Sequence, residues 1–411
     1  MHISPIFVRD ECPDLQPDLV PPLVLGPAHL AHAAFGGAGL ADCLARIDAF
    51  GGSEPARQLD AAWAHELAFR PTEAAALQQA ALAECRLFRV AGSLETTPLR
   101  VLAVMAPGDL MVNTPLDFIT NHLDVRLDLL FVVPGEALPS CVPDHDVAFF
   151  AVSESAPDVL ARLVPLFASW PRPVVNDPAA VARLSRDVVA QGLADVPGLL
   201  APPVRLLSRG ALLRHVSGQA PLAFLADEGS VLLRPLGSHA GAGLHRAETT
   251  AELAFHLYRT PGAHFHVTRF VDYRSADGMF RKYRVAFVGD RPFLCHMASS
   301  EHWMVHYLNA GMTEHAERRA EEARAMADFE DGFARRHAMA FAGLHAWMGL
   351  DYYQIDCAEM ADGRLVVFEA DVAAIIHLMD PPELFPYKPA QMRRVFAGFE
   401  AMLRECAGAA R

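Results

Sequence analysis

The sequence predicts a mixed fold, α/β in the middle of the chain and α+β towards the C-terminus, behind an N-terminal helical region. Three observations carry this. Strand-length apolar runs alternate with a helical pattern between Leu99 and Asn176. Strand runs joined by short Gly- and Pro-bearing turns follow between Val231 and Met297. The stretch YYQIDCAEMADGRLVVFEAD, Tyr352 to Asp371, reads as two strands around Asp362-Gly363, a pair suited to a two-residue hairpin loop. With 411 residues, two or three domains are expected, and the composition shifts divide the chain at 1–95, 96–175 and 176–411.

Residues 1 to about 25 are Pro-rich and read as irregular. Ala41–Phe50 and Pro55–Phe69 carry apolar residues at helical spacing, and Thr72 suits the cap of a third helix. Trp63 and His65 read as core and surface rather than ligands. Leu99–Met105, Leu127–Val133 and Val147–Val152 are strands, Asp158–Trp170 is an amphipathic helix, and together they imply a parallel sheet. The loop Ala106–Pro115 leaves a strand at its C-terminal end, where open α/β sheets take ligands. Gly108, Asp109 and Asn113 stand there as substrate contacts, with an ordinary Pro/Gly turn as the alternative.

Asp177-Pro178 opens a helix that carries Arg183 and Arg186 and ends near Gly192. The strand from Val231 ends at Arg234, and a Gly-rich loop follows: Gly237, Ser238, His239, Ala240, Gly241, Ala242, Gly243. Bare backbone N–H groups in such loops approach phosphate oxygens. No Gly-Lys-Ser/Thr follows, and Arg246 stands where a dinucleotide fingerprint needs its third Gly. A mobile flap and a plain flexible hairpin both fit. Phe265–Val271, Arg281–Phe287 and Pro292–Met297 read as a three-stranded meander. Arg284, between Tyr283 and Val285, needs an anion if that strand is half-buried. Ser299–Met312 is an aromatic, His-rich loop able to wall a pocket, with His302 and His306 as acid/base candidates or packed histidines. Met312–Met348 is helical, and Pro389–Cys406 is a closing helix.

The hairpin places Asp356 opposite Glu369, with Asp371 on the same face as Glu369. Opposed like charges destabilise a hairpin. Half-buried carboxylates that close resist ionisation unless a cation joins them, and Mg²⁺ beside a nucleotide is held in this way. An exposed hairpin with scattered surface acids is the alternative.

Composition narrows the function. Hydrophobic residues make up 52% of the chain, which excludes disorder. A net charge of −14 argues against a broad nucleic-acid surface. No apolar run reaches the roughly 18 residues of a membrane span, and the N-terminus shows no secretory pattern. The 7 Cys are scattered without a CxxC pair, which suits reduced thiols in the cytoplasm.

A basic helix, Arg-Pro before a Gly-rich flap, strands with a central Arg, and Asp…Glu-x-Asp stand in one order from Asn176 to His377. This set resembles the ATP-grasp superfamily, nearest to the ribosomal-protein glutamate ligase and glutathione synthetase type. The resemblance implies an ATP-grasp fold with a pre-grasp α/β domain. It implies ATP and Mg²⁺, small-molecule or peptide carboxylate and amine substrates, and ligation through an acyl phosphate. A phosphotransferase, or a non-catalytic nucleotide-binding module presenting its helical region to a partner, is the alternative; a homodimer is an open option. By the resemblance, Arg186 and Arg234 replace two phosphate-binding Lys residues, a change that keeps charge but alters geometry. Gly237, Ser238, His239, Gly241 and Gly243 cover the phosphates. Thr268, Arg269, Phe270 and Val271 hold the adenine edge, and Asp272 takes the ribose. Arg284 steadies the transferred phosphoryl group. Asp356, Glu369 and Asp371 are the metal ligands, with Asp371 where the family commonly has Asn.

Overall fold

The computed structural model describes residues 11–92, 98–225, 229–238 and 241–408. Its α/β part is a six-stranded sheet in the order Leu23–Val24, Leu87–Val90, Val125–Phe131, Leu99–Met105, Val147–Phe150, Val174–Val175. Neighbours run parallel except the pair Leu87–Val90 and Val125–Phe131. The inner strands are near-continuous apolar runs because both faces are covered. The opening residues are not wholly irregular: Asp14–Gln16 pairs with Cys141–Pro143, and Leu23–Val24 forms an edge of the sheet.

Four helices, Pro27–Phe35, Leu40–Phe50, Glu54–Leu67 and Pro71–Glu84, pack beside this sheet. The last begins at Pro71, where a missing N–H costs nothing, so Thr72 lies inside the helix and does not cap it. The buried carboxylates of Asp60 and Asp117 accept from the amides of Leu25, Gly26 and Ala28 at the start of the first helix (2.9, 3.0 and 2.6 Å).

The C-terminal half holds two more sheets. One has five strands in the order Arg291–Ser300, Phe280–Val288, Tyr352–Glu359, Leu365–Asp371, Leu199–Leu200. The other has four antiparallel strands in the order Val204–Ser208, His264–Arg269, Val231–Pro235, His245–Ala247. The expected three-stranded meander is therefore corrected. Phe280–Val288 and Arg291–Ser300 pair as expected, but His264–Arg269 belongs to the other sheet. Helices Arg209–Val216 and Thr250–Arg259, which the sequence reading passed over, pack on the four-stranded sheet. Each starts at a hydroxyl cap, Ser208 and Thr249. They share a core with Leu233, Phe265 and Val267 that is separate from the other cores. Among the described residues no helix is long and apolar enough to cross a membrane.

The helix expected from Asp177 to Gly192 is broken into Pro178–Val181 and Arg186–Gly192, so Arg186 opens the second piece. Gly192 lets that piece lie against Trp347, whose ring would stand 2.1 Å from an added Cβ. The closing helix, Lys388–Gly408, packs Phe399 against Phe149 of one sheet and Tyr352 of another.

Asn176 joins the two sheets. Its side chain accepts from the amides of Asp351 and Tyr352 (3.0 and 2.9 Å) and donates to the Tyr352 carbonyl (2.8 Å). It is fully buried at φ 65°, a conformation Asn tolerates better than most side chains. Asn176→Ala leaves three backbone groups, two of them on the buried Tyr352, without these partners. The expected loss is about 3 kcal/mol, read as a lower urea midpoint.

Candidate active site

The two C-terminal sheets face each other across a cavity of about 450 Å³. That is a volume suited to a small ligand. The acidic hairpin supplies one wall. Its strands, Tyr352–Glu359 and Leu365–Asp371, place Asp356 opposite Glu369 and Gln354 opposite Asp371. The turn differs from the expected one. The Met360 amide donates to the Arg364 carbonyl and the Gly363 amide to the Met360 carbonyl (2.9 Å each), so the loop has three residues, with Gly363 at φ 83°. A bulge then leaves Phe368 unpaired between Val367 and Glu369. The extra loop residue moves the register by one and the bulge moves it back.

Each acid has a different partner. Asp356, almost wholly buried, accepts from Arg284 Nε and Nη2 (2.8 and 3.0 Å) and from Lys282 Nζ (2.9 Å). Burial pushes its carboxyl up, but Arg284 and then Lys282 outweigh burial and hold it well below the usual carboxylate range. Glu369 pairs with Arg186, and Arg234 Nη1 lies 3.6 Å away. Burial opposes them, yet mainly Arg186 keeps the Glu369 carboxyl at about 2. Asp371 has no cation in contact among the described residues. Its Oδ1 accepts from the Ala373 and Ala374 amides (2.9 and 2.7 Å), and burial and the Glu369 charge push its carboxyl up to about 6.

Arg234 sits at the base of the flap. Its Nε donates to Ser238 O and Oγ, both at 3.2 Å, and burial, then Arg186, brings its guanidinium down to about 10. Across from it lie Thr268, Arg269, Phe270 and Val271, on the segment that leaves the four-stranded sheet. Phe270 stacks under Arg246 at 3.9 Å and meets the edge of Trp303 at 5.7 Å. The loop after Ser300 adds Trp303, Met304 and His306 to the wall, and His302 is not part of it.

The structure thus brings Arg186, Arg234, Gly241, Thr268, Arg269, Phe270, Val271, Arg284, Asp356, Glu369 and Asp371 onto one cavity. Gly237, Ser238 and Gly243 stand off its wall, and His239 lies outside the described residues. Asp272 is also off the wall, where it pairs with Arg274 (Nε to Oδ1 2.9 Å). The loop Ala106–Pro115 contributes mainly Met111. Gly108 is tied through its amide and carbonyl to Gln78 (2.8 and 2.9 Å). Asp109 accepts from the Met111 amide, and Asn113 bonds both backbone groups of Ala106. Those three residues build the loop rather than face the cavity.

Two charged residues on the wall were missed as site residues. Lys282 is the second cation on Asp356. Glu154 was not noticed. It follows the C-terminal end of the strand Val147–Phe150, so the rule that drew attention to Ala106–Pro115 also covers it. Burial and the Asp371 charge push its carboxyl up to about 7.

Among the described residues, no three His, Cys, Asp or Glu side chains are grouped as a metal set. The donors do suit a divalent ion. Mg²⁺ is commonly held by one or two carboxylates plus phosphate oxygens, and Glu369 and Asp371 are two adjacent carboxylates whose repulsion a cation relieves. Asp356 reaches a metal only by giving up Lys282 and Arg284.

No family model matches the sequence. No curated protein matches it. Among solved structures, D-alanyl-alanine synthetase A from Vibrio cholerae aligns with 77% of this chain and 100% of its own, at 11% identity and a TM-score of 0.48. VanG D-Ala:D-Ser ligase from Enterococcus faecalis aligns with 76% of this chain and 100% of its own, at 10% identity and a TM-score of 0.45. A RimK domain protein ATP-grasp from Sphaerobacter thermophilus aligns with 75% and 100%, at 17% identity and a TM-score of 0.37. Likeness at this level carries no argument for the chemistry, which rests on the residues of the cavity.

Proposed function

We propose that this chain is an ATP- and Mg²⁺-dependent carboxylate–amine (or thiol) ligase of the ATP-grasp type, acting in the cytoplasm through an acyl phosphate. One observation supports the reading most. Arg186, Arg234, Lys282 and Arg284 share a buried cavity with Asp356, Glu369 and Asp371. Cations and acids in those numbers, walled by apolar residues such as Leu232 and Phe270, suit a nucleoside triphosphate with its counter-ion. In this division of labour residues 176–411 hold the nucleotide, residues 96–175 face the substrate, and residues 1–95 are an accessory region.

The substrate carboxylate attacks the γ-phosphorus and ADP leaves. The amine nitrogen then attacks the acyl carbon, the carbon–oxygen bond to phosphate breaks, and phosphate departs with the proton the nitrogen loses. Phosphoryl transfer of this kind depends on placement and charge neutralisation. Arg186 and Arg234 would exchange Glu369 for phosphate oxygens, and Arg284 with Lys282 would meet the charge on the transferred group. Thr268 to Val271 would hold the adenine edge, and Gly237, Ser238, His239, Gly241 and Gly243 would cover the phosphates. Asp272 would reach a ribose once released from Arg274. Mg²⁺, held by Glu369 and Asp371, would supply charge neutralisation between phosphate oxygens.

The test is thermal stability with ATP, MgCl₂ and both, followed by hydroxylamine trapping across a panel of amino acids and peptides. The expected result is a Tm rise with both that exceeds the sum of the separate rises, and a hydroxamate that requires ATP. A phosphorylated product without hydroxamate makes the chain a phosphotransferase. A Tm rise without turnover makes it a binding module.

A further inference from the structure

The six-stranded sheet reaches the cavity through Met111 and Glu154. Among the described residues, Glu154 Oε2 is buried and has no hydrogen-bond partner. The charges acting on it are Asp371 and Glu369, both negative, and Arg186, which is already paired with Glu369. The other cations of the wall are also taken. Arg234 bonds Ser238, and Lys282 and Arg284 bond Asp356. Among the described residues, Glu154 is therefore a carboxylate of the cavity wall with no cation in contact, beyond the pair Glu369 and Asp371 already assigned to Mg²⁺. An uncompensated buried charge is costly, and the cost is recovered when a cation arrives.

Glu154 is held where it stands. The Ser153 amide donates to Val112 O (2.8 Å), the Thr114 amide to Ala151 O (2.6 Å), and Ser153 Oγ lies 2.7 Å from Ser155 Oγ. The two loops at the carboxyl edge of the sheet are thus laced together, which fixes the backbone that carries Glu154. The same wall carries apolar residues, among them Met111, Ala373, Ala374 and Ile375. A hydrated metal ion needs several oxygens and keeps its waters. An organic ammonium needs only one or two acceptors and packs its carbon chain on apolar walls.

We propose that Glu154 forms the subsite for the attacking amine, received as a primary ammonium on an aliphatic stem. The assignment rests on the ligase reading and names its second substrate class. Glu154 binds and orients the nitrogen, which loses one proton to solvent before it attacks and the second with the departing phosphate, and the two loops of the N-terminal sheet set which amine enters. The phosphates and the activated carboxylate lie with the cations on the opposite strands.

Hydroxylamine separates this assignment from the reading beneath it, because it is an uncharged nucleophile at neutral pH. The assays are hydroxamate formation from the panel carboxylates with ATP and MgCl₂, and amide formation with the amino acids of the same panel. Glu154→Gln is expected to keep its Tm, its Mg·ATP-induced Tm rise and its hydroxamate rate. Amide formation should fall about ten- to hundredfold in kcat/KM, through KM for the amine. Glu154→Asp, which keeps the charge, should recover part of that loss. The assignment is overturned if amide formation is unchanged, if both reactions fall together, or if the Mg·ATP response is lost, which would place Glu154 on the metal. If the wild-type chain forms no hydroxamate at all, the ligase reading fails and takes this subsite with it.

Discussion

Arg284→Ala is expected to cost about 3–5 kcal/mol of folding stability, because it strips one partner from a buried ion pair. Asp356 keeps Lys282 at 2.9 Å but loses the two-pronged contact from Arg284 Nε and Nη2. Adding Asp356→Leu to Arg284→Met should recover only part of the loss, because Lys282 is then left without its anion. Urea unfolding of the four members of that cycle measures the effect. In turnover, Arg284→Ala should lower kcat about 10²–10³-fold, the usual consequence of losing a donor aimed at developing charge. ATP affinity should change much less, because Arg186 and Arg234 remain on the same wall. Arg284→Lys keeps a charge and should fold, so it reports the catalytic loss where the Ala variant is too unstable to assay. Equal losses in kcat and in ATP affinity would remove the role assigned to Arg284.

Glu369→Gln and Asp371→Asn should both lower ATP turnover at saturating MgCl₂ by about 10²–10³-fold, yet shift the free protein in opposite directions. Glu369 is the partner of Arg186 and lies 3.6 Å from Arg234. Its neutralisation leaves two buried guanidiniums without their anion, so Tm should fall. Those freed cations should also make ATP without Mg²⁺ a better ligand than it is for the wild-type chain. Asp371 is in the reverse position. The neighbouring Glu369 charge opposes its ionisation, so Asp371→Asn relieves repulsion and Tm should hold or rise. Thermal scans with and without ATP and MgCl₂, beside ADP release, read all of this. A turnover that survives either change would remove the metal role from that carboxylate.

The acidic hairpin was legible because its signal is local. Apolar runs, a Gly at the turn and three acids at fixed offsets place Asp356 against Glu369. The route was partly mistaken, since the turn has three residues rather than two, and the bulge at Phe368 restored the pairing that the longer loop had displaced. Strand positions were also legible, but sheet membership was not. His264–Arg269 reads like its successors in sequence, and only its long-range pairing with Val204–Ser208 and Val231–Pro235 assigns it elsewhere. Glu154 was invisible for the same reason, since the charge that gives it meaning belongs to Asp371, more than two hundred positions away in sequence. Gly108, Asp109 and Asn113 misled because polar loop residues look alike whether they bind ligands or their own backbone. Here they bind the loop itself and the neighbouring Gln78.

The four-stranded sheet and its two helices bury Leu212, Leu253, Leu257 and Phe265 among themselves. The half of the cavity that carries Arg234 and Thr268 therefore has a hydrophobic core of its own. It can pivot without disturbing the interior of the other half, because close-packed interiors move as blocks. The breathing of the site is then set by two strand crossings, near Ala201 and near Phe270, rather than by rearrangement of side chains. Entry and escape of ligand would follow the stiffness of those crossings, and residues there can tune turnover without touching anything that reacts.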